Sequence, residues 1–191
     1  MVLPQTPLSY NDGFTQGDIM RPFILAAMLL APLSLHAQAP PLDPAHAAEM
    51  KKLDWLVGEW KGEAVFQMGP DQKATVAQSE RIEKRVGGTV LIIEGLGEAD
   101  GRVVHEAFAI VTWDPNAKKH LVSAYLPNGR SVVADAKAGD GTLEWWFDTA
   151  EGSMRYVIER SKDGDWIETG YRNRPGGSPA KFLEMNLKKV K

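Results

Sequence analysis

The fold is decided by the stretch Leu53-Asp54-Trp55-Leu56-Val57-Gly58-Glu59-Trp60-Lys61-Gly62-Glu63, where the spacing of the apolar residues changes. Up to this stretch, apolar residues recur at steps of three and four from Met50 onward, which is the periodicity of one helix face. Asp43-Pro44 is typical of a helix start, an N-cap followed by proline at the first helical position. We therefore predict a short α-helix that begins at this pair and that Gly58 ends.

From Trp60 onward the spacing of the apolar residues becomes two. Small and apolar residues occupy the even positions from Trp60 to Met68, and Lys61 and Glu63 lie between them. Because successive side chains of a strand point to opposite faces, this pattern predicts a half-buried strand with Trp60 on its inner face.

Strong turn signals then recur along the rest of the chain and separate segments of strand composition. They are Gly69-Pro70-Asp71, Gly87-Gly88, Asp100-Gly101, Asp114-Pro115-Asn116, Asn128-Gly129, Gly139-Asp140-Gly141, Ala150-Glu151-Gly152, Asp163-Gly164 and Pro175-Gly176-Gly177. The intervals leave no room for crossover helices, so neighbouring strands must be antiparallel. A sheet of about ten strands curls, and closure removes its exposed edges. The predicted fold class is all-β, a ten-stranded antiparallel up-and-down barrel preceded by a short α-helix.

The direction of the side chains is predictable in some strands only. In residues 75–86 the alternation places Val76, Gln78, Glu80, Ile82, Lys84 and Val86 in the barrel lumen. In residues 90–96, 104–113 and 143–147 both faces carry large apolar groups, so alternation does not choose between them. Some outward surface must then be covered by the helix or by a partner, and a homodimer is one such arrangement.

Composition excludes several classes of function. The chain has 191 residues, a formal net charge of −3 and no cysteine. An acidic balance without a run of Lys or Arg argues against nucleic acid as a partner. The absence of cysteine excludes disulfides, thiolate catalysis, Cys-ligated zinc and iron–sulfur clusters.

The N-terminal region indicates export. Met20-Arg21 precedes the apolar run from Phe23 to Leu35, which is short for a bilayer span and typical of a signal peptide. Small residues around Ala37-Gln38-Ala39 predict cleavage so that the mature chain begins near Gln38 or Pro40. The predicted organisation is a misassigned leader (1–19), a signal peptide (20–39), a tether with the N-terminal helix (40–52) and the barrel (53–191). This predicts a periplasmic or secreted protein with no membrane contact after cleavage; an uncleaved membrane anchor is the alternative.

The chain resembles the calycin superfamily of lipocalin-like barrels, and within it a bacterial lipocalin-like family of unknown function with nitrobindin-like relatives. The resemblance covers about Leu53 to Lys191 and depends on the opening stretch quoted above, on Trp113-Asp114-Pro115, on Trp166-Ile167-Glu168-Thr169-Gly170 and on Phe182-Leu183-Glu184-Met185-Asn186-Leu187-Lys188. It implies that Trp60, after the structural Gly58, packs across the closed end of the barrel. It also implies that a basic side chain near the end of the last strand, Lys188 or Lys189, lies over the ring of Trp60.

The resemblance to nitrobindins implies haem held by a histidine in the C-terminal part of the barrel, but no histidine follows His120. Neither His105 nor His120 has a second histidine at the spacing that makes a metal site, so we predict neither a metal nor a cofactor. We interpret His105 as an ordinary strand histidine that can reach the lumen. We expect His120, just after the Asp114 turn, to be exposed to solvent.

Carboxylates and aromatic residues are the remaining candidates for chemistry. A carboxylate inside an apolar barrel has a raised pKa unless it is paired, and can then serve as a catalytic acid or orient a ligand. The ordinary alternative is an outward cross-strand ion pair. The candidate ligand-binding residues are Gln78, Glu80, Glu94, His105, Tyr125, Trp145, Tyr156, Trp166 and Glu168.

The leading hypothesis is an exported lipocalin-like protein that binds a small, mainly apolar molecule in its lumen without chemistry of its own. The alternatives are a calycin-type enzyme using a lumen carboxylate as acid or base, a haem-binding nitrobindin-like protein, and an interaction module whose barrel is filled by side chains. We expect a cavity, because ten strands enclose a wider circle than side chains can fill, since barrel diameter grows with strand number.

Overall fold

The computed structural model describes residues 41–191 of the protein. The predicted leader (1–19) and signal peptide (20–39) lie outside the described residues, so both stay predictions. Within residues 41–191 no helix is both long enough and apolar enough to cross a membrane.

Helix α1, Pro44–Lys51, begins as the sequence predicts. The Asp43 side chain accepts a hydrogen bond of 2.9 Å from the backbone N–H of Ala45, and Pro44 is the first helical residue. The helix ends earlier than predicted, at Lys51, and one turn of 3₁₀ helix follows at Asp54–Leu56.

Gly58 does not end the helix, which corrects our prediction for this residue. It is the first residue of strand β1 and has a φ of +134°. The backbone of Lys191 passes directly beside it, where a Cβ atom would collide with the Lys191 carbonyl oxygen. Glycine is therefore needed here because two chain segments approach closely while φ is positive.

Ten strands form the body of the molecule. They are β1 (Gly58–Gly69), β2 (Gln72–Arg85), β3 (Val90–Ala99), β4 (Arg102–Asp114), β5 (Lys119–Tyr125), β6 (Ser131–Gly139), β7 (Thr142–Thr149), β8 (Gly152–Arg160), β9 (Trp166–Asn173) and β10 (Ala180–Lys189). Each strand pairs antiparallel with its neighbours in sequence, and β10 pairs with β1 to close the barrel. The prediction of a ten-stranded up-and-down barrel after a short helix is confirmed.

The inner face of the barrel follows the alternation where the sequence showed one. Val76, Gln78, Glu80 and Ile82 of β2 are all buried. The prediction was wrong for Lys84 and Val86, which are exposed, because β2 ends at Arg85 and the 3₁₀ turn Val86–Gly88 follows. In the three strands where alternation did not choose, the odd-numbered residues point inward. The inward residues are Leu91, Ile93 and Gly95 of β3, His105, Ala107, Ala109 and Val111 of β4, and Leu143, Trp145 and Phe147 of β7.

The end of the barrel near α1 is closed by tryptophan. Trp60 is 1% exposed, and its Nε1–H donates a hydrogen bond of 2.7 Å to the carbonyl oxygen of Leu56 in the 3₁₀ turn. The rings of Trp55 and Trp166 meet that of Trp60 edge-on, with centroids 6.4 and 5.8 Å away. This cluster packs the 3₁₀ turn after α1 against the closed end of the barrel.

The cation over Trp60 is Lys189 and not Lys188. The Nζ atom of Lys189 lies 5.2 Å from the ring centroid of Trp60. Lys188 follows the buried Leu187 and is exposed, so alternation turns it to the outer face of β10. A cation over an indole face contributes about 0.5–2 kcal/mol.

Two histidines attach α1 to the closed end. His46 Nε2 lies 3.1 Å from the carbonyl oxygen of Thr89, and His120 Nε2 lies 3.4 Å from that of Glu49. His120 is only 2% exposed and packs edge-on against Trp113, with ring centroids 4.9 Å apart. Our expectation of an exposed His120 is therefore wrong, because β5 turns this side chain under the helix. Burial lowers the pKa of His120, against the raising effect of Glu49, and so favours the neutral imidazole.

The outer face of β5 to β7 carries exposed apolar side chains, among them Tyr125, Val133 and Trp146. Helix α1 lies against β4 and leaves this face uncovered. The homodimer stays a prediction.

A candidate ligand-binding cavity

The barrel encloses a cavity of about 880 Å³. Part of its wall is aromatic, since the side chains of Phe66, Trp145, Phe147, Tyr156 and Phe182 line it. Trp145 stacks on Tyr156 with ring centroids 4.0 Å apart, and Phe147 stacks on the other side of Trp145 at 5.9 Å. A space of this size is inconsistent with the alternative of a barrel filled by side chains.

Small residues leave this space open. Ala64, Ala107, Ala109 and Ala124 line the cavity from β1, β4 and β5. The large aromatic side chains come from β1, β7, β8 and β10. The lining of the cavity therefore combines small residues with stacked rings and is mainly apolar.

The inner end of the cavity, toward Trp60, is polar. Glu80 of β2 pairs in register with Trp60, which places it near the closed end. Gln78, two residues earlier, donates a hydrogen bond of 2.8 Å from Nε2 to Oε1 of Glu80. On β9, Trp166 Nε1–H donates a hydrogen bond of 3.2 Å to Oε2 of Glu168. All four side chains are buried.

Two glycines of β3 make room for the polar side chains of β2. Gly95 pairs with Glu80, and Gly97 pairs with Gln78. A Cβ atom on Gly95 would lie 2.8 Å from both carboxylate oxygens of Glu80, and one on Gly97 would lie 2.8 Å from Oε1 of Gln78. Glycine inside a strand is typical of a close approach. Alternation within one strand does not reveal this feature, although the spacing of Gly95-Leu96-Gly97 matches that of Gln78-Ser79-Glu80.

Burial perturbs both carboxyl groups. It raises the pKa of Glu80 to about 7, against the lowering effect of the hydrogen bond from Gln78. The pKa of Glu168 is raised to about 8, first by burial and then by the charge of Glu80, against the hydrogen bond from Trp166. Glu168 is therefore mostly protonated in neutral water, whereas Glu80 is divided between its two forms.

The opposite end of the cavity lies among the turns far from α1. Residues 148–151, at the end of β7 and in its connection to β8, line it there, as does Arg130 before β6. The guanidinium of Arg172 lies 5.6 Å from the ring centroid of Phe182. His105, from β4, packs 6.1 Å from the ring centroid of Phe66, and burial lowers its pKa.

The structure brings together seven of the nine predicted ligand-binding residues, which are Gln78, Glu80, His105, Trp145, Tyr156, Trp166 and Glu168. The other two point outward. Glu94 is 54% exposed and lies 3.9 Å from Arg81, because β3 turns its odd-numbered residues inward. Tyr125 is 46% exposed and packs against Phe108 on the outer face, because β5 turns its even-numbered residues inward.

A metal site does not form in the part of the chain that the structure describes. Among residues 41–191, no three side chains of His, Asp or Glu come together in an arrangement that could hold a metal ion.

A closed antiparallel barrel of consecutive strands around a lined cavity defines the class of lipocalin-like barrels. The chain belongs to the family described as protein of unknown function, DUF1579, whose model matches residues 45–189.

Two solved structures are similar to the chain at low sequence identity. Rv2717c from M. tuberculosis is 14% identical, with a TM-score of 0.55 over 79% of this chain and 100% of that chain. The zebrafish ileal bile acid-binding protein, solved in complex with cholic acid, is 14% identical, with a TM-score of 0.45 over 71% of this chain and 99% of that chain. The likeness to Rv2717c concerns the fold alone. No curated protein matches the chain.

Proposed function

We propose that the protein binds a small, mainly apolar ligand in the lumen of its barrel. The observation that carries this proposal is the cavity of about 880 Å³ with its stacked aromatic wall. Binding sites for small molecules are typically concave, about 300–1,000 Å³ in volume, and mainly apolar with a few placed polar groups. The buried Gln78, Glu80 and Glu168 supply the polar groups here.

We also propose that binding takes place outside the cytoplasm. The support is the charged start at Met20-Arg21, the apolar run that follows it, and the small residues before Gln38 and Pro40. The lack of cysteine agrees with an oxidising compartment.

An apolar fluorescent probe tests the lumen site. We expect saturable binding of one probe per chain together with quenching of tryptophan emission, because Trp145 and Trp166 line the cavity. A matched pair of variants on β5 locates the probe. Ala124→Phe fills the lumen and should weaken binding about tenfold, whereas Ser123→Phe adds the same ring to the outer face.

The two variants separate the lumen from the surface. If the probe binds in the lumen, only Ala124→Phe changes its affinity. If Ser123→Phe changes the affinity and Ala124→Phe does not, the probe binds to the outer face and the proposal fails. A folded protein that takes up no probe would contradict the proposal as well.

Acid–base catalysis is a second candidate function, and one observation favours it. Burial brings the pKa of Glu80 to about 7 and that of Glu168 to about 8, so a protonated and an ionised carboxyl coexist in neutral water. The two functions differ in the fate of the ligand. Mass spectrometry of a molecule that co-purifies with the protein, before and after incubation, shows it unchanged for a binding protein and converted for an enzyme.

A further inference from the structure

The inner end of the cavity holds more hydrogen-bond acceptors than donors. Gln78, Glu80 and Glu168 place five side-chain oxygens there, and a protonated carboxyl group among them supplies one O–H donor. In the described residues these oxygens receive two hydrogen bonds, from Gln78 Nε2 to Glu80 and from Trp166 Nε1 to Glu168. The buried Oε1 of Gln78 has no partner among the described residues. A buried acceptor without a donor costs about 1–3 kcal/mol, so this end favours a ligand that donates hydrogen bonds.

No cation of the described chain compensates the two carboxyl groups. Neither Glu80 nor Glu168 forms an ion pair with a described residue. Burial is the largest cause of the raised pKa of each group. Arg172 lines the same cavity but is four residues from Glu168 on β9, which is about 13 Å along the strand, and its guanidinium packs over Phe182. Lys189 lies against the ring of Trp60 and does not line the cavity.

Two further titratable side chains face the cavity close to the carboxyl groups. Only Gly97 separates His105 of β4 from Gln78 in the strand register, and burial lowers the pKa of His105, which favours the neutral imidazole. Burial, and then the charge of Glu168, raise the pKa of Tyr156 of β8 to about 12. Asp148 at the end of β7, and Arg130 and Glu151 in the connections between strands, lie at the far end. The inner end therefore holds two carboxyl groups that no cation of the described residues pairs with.

The backbone of β3 supports this arrangement. Gly95 and Gly97 leave room for the oxygens of Glu80 and Gln78, where any larger residue would collide with them. The acceptors are thus held by tightly fitted neighbours, as in a built binding site.

We propose that the inner end of the lumen binds the protonated amine of an apolar amine, with the apolar part of the molecule against the stacked rings. This inference rests on the proposed function, because it names the ligand class for the same cavity. An ammonium group has N–H donors and no acceptor, which matches a cluster of acceptors. Its charge stabilises the ionised form of both carboxyl groups, and hydrogen bonds to charged groups contribute about 1.5–3 kcal/mol each.

Three ligands with one eight-carbon chain and different head groups test the inference by isothermal titration calorimetry. They are octylamine, octanol and octanoate. We expect octylamine to bind at least about tenfold more tightly than octanol, and octanoate to bind least. A primary amine keeps its proton in neutral water, as the lysine side chain does, so octylamine enters as a cation.

Proton release provides a readout that needs no variant. A cation beside Glu80 and Glu168 lowers the pKa of both groups, so binding expels protons that burial had retained. Titrations near neutral pH in two buffers of different ionisation enthalpy should show about one proton released per octylamine bound and none for octanol. The affinity for octylamine should rise with pH between about 6 and 8, because fewer protons then have to leave.

Variants of two glutamates complete the experiment. Glu168→Gln should weaken octylamine binding about tenfold and reduce the proton release that accompanies it, and an unchanged circular dichroism spectrum shows that the variant is folded. Glu94→Gln, on the outer face, is the matched control and should change neither affinity.

Equal affinities for octylamine and octanol without proton release would overturn the amine inference and leave the proposed function standing. A preference for octanoate would do the same. If none of the three ligands binds, both the amine inference and the proposed function fail.

Discussion

Replacing Glu168 by glutamine should stabilise the protein in alkaline solution and have little effect in acid. The pKa of Glu168 is raised from the ordinary 4.5 to about 8, by burial and by the charge of Glu80. The unfolded chain loses this proton near the ordinary pKa, whereas the folded chain keeps it until about pH 8. Between the two values the folded state binds more protons, so the free energy of unfolding of the unaltered protein falls as pH rises.

The size of the effect follows from the same pKa difference. Each unit of pKa difference between the folded and unfolded chain corresponds to about 1.4 kcal/mol. We therefore expect the unaltered protein to lose about 3–5 kcal/mol by pH 9 through this group. Glutamine has nearly the same shape and no proton to lose. The variant should therefore be about 3–5 kcal/mol more stable than the parent at pH 9 and equal to it within about 1 kcal/mol at pH 5.

Urea denaturation followed by tryptophan fluorescence measures this difference at about pH 5, 7 and 9. The slope of the free energy of unfolding against urea concentration must be the same in parent and variant for the comparison to hold. Glu94→Gln is the control, because an exposed carboxylate contributes little at any pH. A stability difference that does not change with pH, or a variant that is the less stable protein at pH 9, would show that Glu168 is ionised and well solvated in the folded state.

Three further predictions concern the closed end, the glycine pair and the compartment. Trp60→Ala should destabilise the protein by about 3–5 kcal/mol in chemical denaturation; a loss below about 1 kcal/mol would contradict the packing of this ring. Gly95→Ala should displace the Glu80 carboxyl group and destabilise the protein by about 1–3 kcal/mol, whereas Gly177→Ala, in the open loop before β10, should change stability little. Expression from Met20 in a Gram-negative host should yield periplasmic protein shortened at one of the two predicted junctions; an intact N-terminal mass from the cytosol would refute this.

The fold could be predicted because its signals are local. Turn residues mark every connection between strands, and Asp43-Pro44 marks the start of α1. The inner face of β2 was predictable because the residues between its inward positions are mostly polar. In β4 and β7 the outward face is apolar as well, as at Ile110 and Trp146, so no local pattern could separate the two faces.

The candidate site was predicted in part. Glu80 and Gln78 were identified by the alternation of their own strand, but the role of Gly95 and Gly97 depends on the register between β2 and β3, which no single strand contains. We predicted Glu94 in the lumen because it is a carboxylate within a strand. The odd-numbered residues of β3 point inward, so the side chain of Glu94 lies on the outer face.

Which of two neighbouring lysines lies over the ring of Trp60 depends on the face of β10 to which each side chain points. Lys188 and Lys189 differ by one position, and one position reverses the face of a strand. His120 was misjudged for a related reason, since its burial depends on the docking of α1 over β5, a contact between segments distant in sequence.

The pairing of β1 with β10 has a consequence for folding. Trp60 pairs with Lys189, so the seam of the barrel joins the two strands that lie farthest apart along the sequence. Contacts of such long range form late and slow the folding of a chain. Until residues 180–189 are in place, β1 and β9 each present an unpaired edge, and an open edge recruits other chains. A nascent or truncated chain without its last strand is therefore the form of this protein most exposed to aggregation, and its production depends on how quickly that seam closes.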